Sequence, residues 1–73
     1  MHIEVRQVGR HFNWCFRNKG RLTAFNDPAP TRRGAFDRSR NVVKAAFKEA
    51  DEAPVFSAPV WNPLALCWII RWH

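Results

Sequence analysis

Acid–base, nucleophilic and metal chemistry each need particular side chains at particular spacings. For these the chain offers three histidines, two cysteines and six carboxylates. His2 and His73 stand at termini, where backbone frays, and His11 stands at the end of a predicted hairpin, where an imidazole is solvated. None shares a triad pattern with a nucleophile and an orienting acid. Cys15 and Cys67 belong to no CxxC or Cys/His spacing of the kind zinc needs, so they read as small apolar side chains and free thiols of a reducing cytoplasm. Glu4, Asp27, Asp37, Glu49, Asp51 and Glu52 show no paired spacing for general acid–base work, and no glycine-rich loop cradles a phosphate. Neither an enzyme nor a metal or cofactor site is expected from these residues.

Guanidinium is what the chain has in excess. Nine arginines and three lysines against six acids give a net charge of +6. A basic surface attracts polyanions or acidic protein patches, and arginine also grips phosphate bidentately and stacks on bases. The partners implied are nucleic acid or a protein or nucleoprotein complex; the plainer alternative is a solvated basic surface. The N-terminal MHIEVRQ lacks the apolar segment of a secretory leader, and the run LALCWII is too short to span a bilayer, so a cytoplasmic protein is expected. Ten aromatics, six Phe and four Trp, supply a large apolar area for a chain of 73 residues and argue against disorder.

The elements that would position these groups can be read from periodicity. Residues 3–8 alternate apolar and polar, as does 12–17, and Gly9-Arg10 between them fits a two-residue hairpin with glycine at its first central position. Val8 then faces His11, Val5 faces Trp14 and Ile3 faces Phe16. A turn follows at Asn18-Lys19-Gly20. Reading it as a three-residue loop pairs Arg17 with Arg21, Phe16 with Leu22 and Trp14 with Ala24, which keeps apolar opposite apolar. Pro28 and Pro30 end the third strand, and Thr31 caps a helix from about Arg32 to about Ala50. Phe36, Ser39, Val43, Ala46, Phe47 and Ala50 form its apolar stripe, expected to cover Phe12, Trp14 and Phe16. After a proline-punctuated connector, with a short extended piece around 55–57, residues 64–72 read as a last strand. The fold class expected is α+β, a three-stranded antiparallel meander with one helix on one face and a C-terminal fourth strand (βββαβ), in a single domain over 1–73.

In that register the sheet face away from the helix carries Arg6, His11, Asn13, Arg17, Arg21, Thr23 and Phe25. Arg17 directly opposite Arg21 costs roughly 0.2–1 kcal/mol, which a bound anion would remove. Arginines beside an aromatic on an open sheet can hold unstacked bases. A second cationic group, Arg32, Arg33, Arg38, Arg40, Lys44 and Lys48, lies on the helix. Its arginines occupy the end where the helix dipole prefers acids, a mismatch of at most about 1 kcal/mol, and helix N-termini attract phosphate. Trp61, Trp68 and Trp72 read as core and edge packing or as a protein interface, since Trp dominates interface energetics.

The run from His11 to Phe47, HFNWCFRNKGRLTAFNDPAPTRRGAFDRSRNVVKAAF, resembles the YegP-like family of small bacterial and archaeal domains. Trp14, Phe16, Arg17, Asn18, Gly20 and Ala24 stand in the places of that family's aromatic strand, turn and following strand, and Val43 in that of its buried helical position. Pro28-Ala29-Pro30 replaces the family's tyrosine before the helix. The family often carries two such units packed together, so the resemblance implies a homodimer or a further strand in that role. It implies fold, not activity. The functional expectation is a non-catalytic module engaging nucleic acid or a nucleoprotein complex. The alternative is a small phage-type inhibitor, anti-CRISPR-like or directed at another host or defence protein, that acts by occlusion through Trp61, Trp72 and the basic helix.

Overall fold

The computed structural model describes residues 1–24, 28–48 and 53–73. The strands are β1 (His2–Val8), β2 (His11–Asn18), β3 (Arg21–Ala24), β4 (Val60–Asn62) and β5 (Cys67–Arg71), and the one helix is α1 (Arg32–Lys48). They form a five-stranded sheet in the order β3-β2-β1-β5-β4 with every neighbouring pair antiparallel. The α+β class is therefore as expected, with five strands in place of four, and the C-terminal strand lies beside β1.

The first hairpin follows from its turn. Gly9 carries the left-handed φ of 61° at the first central position, and the pairs Val8–His11, Val5–Trp14 and Ile3–Phe16 form as expected. Ile3, Val5 and Trp14 consequently turn to one side, where they are buried.

The second hairpin departs from the expected three-residue loop. Lys19 and Gly20 both take positive φ, 53° and 78°, so the loop is the two-residue kind that matches strand twist. Asn18 then pairs with Arg21, Arg17 with Leu22, Phe16 with Thr23 and Cys15 with Ala24. This one-residue slip moves Arg21 and Thr23 to the helix side and Leu22 to the outer side. Apolar matching had little to enforce here, because β3 is an edge strand and Leu22 remains half exposed.

Of the expected strand over 64–72, Cys67–Arg71 is strand β5, while residues 64–66 belong to a turn that leads back to β4. Pro63 has no N–H for a ladder, and Asn62 Oδ1 accepts from the backbone N–H of Leu64 (3.1 Å) and Ala65 (3.2 Å), closing the turn. Leu66 completes it with a φ of 53°. The alternation in the expected strand holds from Cys67 onward: Trp68, Ile70 and Trp72 face the helix side, while Cys67, Ile69 and Arg71 face outward. Residues 55–57 extend along the end of β5 through bonds from Val55 N–H to His73 O (3.0 Å) and Ser57 N–H to Arg71 O (2.8 Å).

The helix starts where Thr31 caps it. Thr31 Oγ1 accepts from Gly34 N–H at 3.0 Å, and its carbonyl accepts from Ala35 N–H at 3.1 Å. The face that meets the sheet is Ala35, Ser39 and Val43, all buried, flanked by half-buried Phe36, Val42 and Phe47. Relative to the expected stripe, Ala35 joins it and Ala46 is exposed; the stripe's last residue, Ala50, lies outside the described residues. Small residues on the helix seat it close against large ones on the sheet: Ile3, Val5, Trp14, Ile70 and Trp72. The Ser39 hydroxyl is fully buried and donates to Phe36 O at 3.0 Å, so no donor is wasted. Trp72 is the hub of the other end, with Phe16, Phe47 and Phe56 rings 6.1–6.4 Å from it.

Because the cap satisfies a helix N–H that has no intrahelical acceptor, Thr31→Ala should lower unfolding free energy by about 1 kcal/mol and Thr31→Ser should largely retain it. Chemical denaturation of the three proteins checks this; equal midpoints for Thr31→Ala and the parent would show that the cap contributes nothing.

Candidate functional site

The width of the sheet creates the site. Five strands spaced about 4.8 Å apart span roughly 19 Å between outer axes, whereas a helix with its side chains is about 10 Å wide. The α1 backbone lies over β2 and β1. It reaches β5 through side chains, Phe36 meeting Trp68 edge-on at 6.1 Å and Arg32 lying over the Trp68 ring at 4.6 Å. The inner side of β5 and β4 is left as a cleft of about 710 Å³ lined by Gln7, Phe12, Arg32, Arg33, Phe36, Trp61, Leu66 and Trp68.

One helix flank supplies the cations. Arg32, Phe36, Arg40, Lys44 and Lys48 follow one another at four-residue steps and so share a row. Arg32 sits on Trp68, and Lys44 Nζ lies 6.0 Å from the Phe56 ring farther along. Arg40, between them, is held by Asp37 at 3.0 Å. Arg32 and Arg33 meet no carboxylate among the described residues. The rings form the other wall: Trp68 and, tilted against it at 5.3 Å, the 45% exposed Trp61.

The outer face of the sheet is built differently. Arg6, His11, Asn13 and Arg17 do share it, but Arg21 and Thr23 do not, since Arg17 opposes Leu22. The expected Arg17–Arg21 pair is thus absent, and with it the electrostatic cost that an anion would have relieved. Phe25, expected to provide a stacking platform there, lies outside the described residues. In place of repulsion there is an internal counterion. Glu4 Oε2 accepts from Arg17 Nε at 3.0 Å and lies 3.1 Å from His2 Nε2, and Glu4 Oε1 is 3.6 Å from Arg6. Arg6 also reaches Ala65 O at 3.4 Å.

Burial alone would push the Glu4 carboxyl up. Hydrogen bonds from Arg17 and His2, together with their charge, outweigh that and hold it below its ordinary value of 4.5. Burial pushes the neighbouring Cys15 thiol up, and Glu4 adds to this, which makes it a poor nucleophile.

Of the three tryptophans expected at a protein interface, Trp72 is buried in the core, Trp68 is half buried under Arg32, and Trp61 alone is well exposed. The hairpin beside Trp61 adds exposed apolar surface missed in the sequence reading: Val60, Leu66 and the 96% exposed Leu64. Placing Leu64 and Leu66 inside a strand hid it; Asn62-Pro63 was the available signal. The cleft itself was also missed, because it depends on β5 lying beside β1. Among the described residues no group of three or more His, Cys, Asp or Glu side chains gathers as a metal site, and no helix is long and apolar enough to cross a membrane.

No protein-family model, curated protein or solved structure matches the chain.

The depressed Glu4 group has a thermodynamic consequence. A carboxyl whose folded pKa lies below its unfolded one stabilises above the unfolded value, near pH 4.5, and loses that contribution as pH falls through the folded value. Stability measured from pH 6 to pH 3 should fall less steeply in Glu4→Gln than in the parent; parallel curves would show that the cluster is not coupled to folding.

Proposed function

We propose that the protein is a non-catalytic binding module for nucleic acid, engaged along the flank of α1 rather than across the outer face of the sheet. The observation that carries this reading is the placing of helix cations beside aromatic rings: Arg32 over Trp68, with Arg33 and Trp61 lining the same cleft, and Lys44 over Phe56. Phosphates meet the cations and bases meet the rings, the division of labour common to proteins that hold nucleic acid. The net charge of +6 favours encounter with any polyanion, but on the outer face Glu4 already neutralises part of it.

Binding to a fluorescein-labelled oligonucleotide, followed by anisotropy, should weaken steeply with salt. If Arg32, Arg33 and Lys44 all meet phosphate, the slope of log K against log salt approaches about −2 for a single strand. Arg33→Ala should make that slope shallower by about 0.7, whereas Glu4→Gln, which raises positive charge on the outer face only, should leave affinity within about two-fold. A Glu4→Gln gain in affinity with no effect of Arg33→Ala would move the interface to the outer face.

The second reading, a small protein inhibitor acting by occlusion, is favoured by the β4–β5 hairpin, where Val60, Trp61, Leu64 and Leu66 form exposed apolar surface of the kind that anchors protein interfaces. Trp72 has no part in it, being buried. Under this reading a double substitution Leu64→Ser, Leu66→Ser abolishes a one-to-one complex with a protein partner that survives moderate salt. Retention of such a complex by the double variant would exclude the hairpin.

A further inference from the structure

We infer that the cleft between α1 and the β4–β5 hairpin accepts an unpaired base, so that the ligand class is single-stranded rather than duplex nucleic acid. This deepens the nucleic-acid reading above and rests on it.

The two tryptophans of the cleft are not equivalent. One face of Trp68 is already covered by the Arg32 guanidinium at 4.6 Å, and the Phe36 ring meets it edge-on. Trp61 has only Trp68 as a ring neighbour among the described residues, inclined at 59°, and is 45% exposed. The inclination leaves Trp61 able to receive a planar group by offset stacking, while the Arg32 guanidinium, fixed in place on Trp68, keeps its N–H edge for an anion. A base on Trp61 with its phosphate at Arg32 or Arg33 satisfies both walls. The volume, about 710 Å³, falls in the range of about 300–1,000 Å³ typical of ligand pockets.

Duplex nucleic acid cannot use this arrangement. Its base faces are buried in the stack, and it offers the protein phosphates and groove edges only. The rings line the cleft between the helix and the hairpin, and only a base that has left the stack can lay its face on them. The cationic row, by contrast, is exposed on the helix flank and serves either form. Strand preference therefore comes from Trp61, and general polyanion affinity from the arginines and Lys44.

The test compares single-stranded and duplex oligonucleotides of equal length at one salt concentration, with the parent, Trp61→Ala and Trp61→Phe. Trp61 lies at the sheet edge and is substantially exposed, so circular dichroism should show all three folded alike. Stacking is worth roughly 1–3 kcal/mol per base, so Trp61→Ala should weaken single-strand binding by about five-fold or more. Duplex binding should change by less than about two-fold, and Trp61→Phe should restore most of the single-strand affinity. Quenching of tryptophan fluorescence by the single strand, reduced in both variants, supports the same contact. Equal affinity for both forms, with Trp61→Ala neutral on each, overturns the base-acceptor inference while leaving salt-dependent polyanion binding intact. Absence of binding to either form at low salt overturns both.

Discussion

The close seating of α1 on β1 and β2 governs the rest of the molecule. Ala35 and Ser39 present little more than backbone to the sheet, and in return the sheet presents Ile3, Val5, Trp14, Ile70 and Trp72. Large-into-small packing of this kind reaches the density of protein interiors with few residues, which matters in a chain whose core is necessarily modest. It also fixes the helix over one half of the sheet. Everything beyond about two strand widths must be covered by something other than the helix. At one end Phe47, Phe56 and Phe16 gather round Trp72. At the other, Phe36 and Arg32 lean across to Trp68, and the cover stops there.

Much of this architecture was legible in the sequence wherever one face of an element had to be buried and the other wet. The β1–β2 hairpin is the clearest case: Gly9 supplies the turn, and the alternation of Ile3, Val5, Trp14 and Phe16 leaves a single register that keeps them together. Thr31 as the helix cap and the central Ser39–Val43 step were legible for the same reason. The second hairpin was not, because at a sheet edge the burial rule loses force. Pairing Phe16 with Leu22 looked better by apolarity, but the twist preference of a two-residue loop decided the register and left Leu22 outside. The C-terminal run failed differently. Its uninterrupted apolar character concealed a turn made by Asn62 and Pro63, two residues whose local chemistry overrides hydrophobicity.

The candidate site was legible as a list of residue types and not as a place. Arg32, Arg33, Lys44, Trp61 and Trp68 each drew notice from the sequence, yet nothing in it brings the tryptophans to the helix flank. That depends on the C-terminal strand inserting next to β1, a choice of sheet order set by long-range pairing rather than by local pattern. The outer-face surface, conversely, depended on one register choice and dissolved with it.

The distribution of acids explains why the two sides of the sheet differ in character although both carry arginine. On the outer side one carboxylate serves three basic side chains: Glu4 lies against Arg17, His2 and Arg6, and its lowered pKa is the mark of how well they satisfy it. A charge so compensated offers a passing phosphate little, because the anion would have to displace an existing hydrogen bond. On the helix flank Asp37 occupies Arg40, while Arg32 rests on an aromatic face, which attracts a guanidinium without spending its N–H groups. The same residue type is therefore spent on structure in one place and held in reserve in the other. The difference lies in what stands beneath it, a carboxylate or an indole.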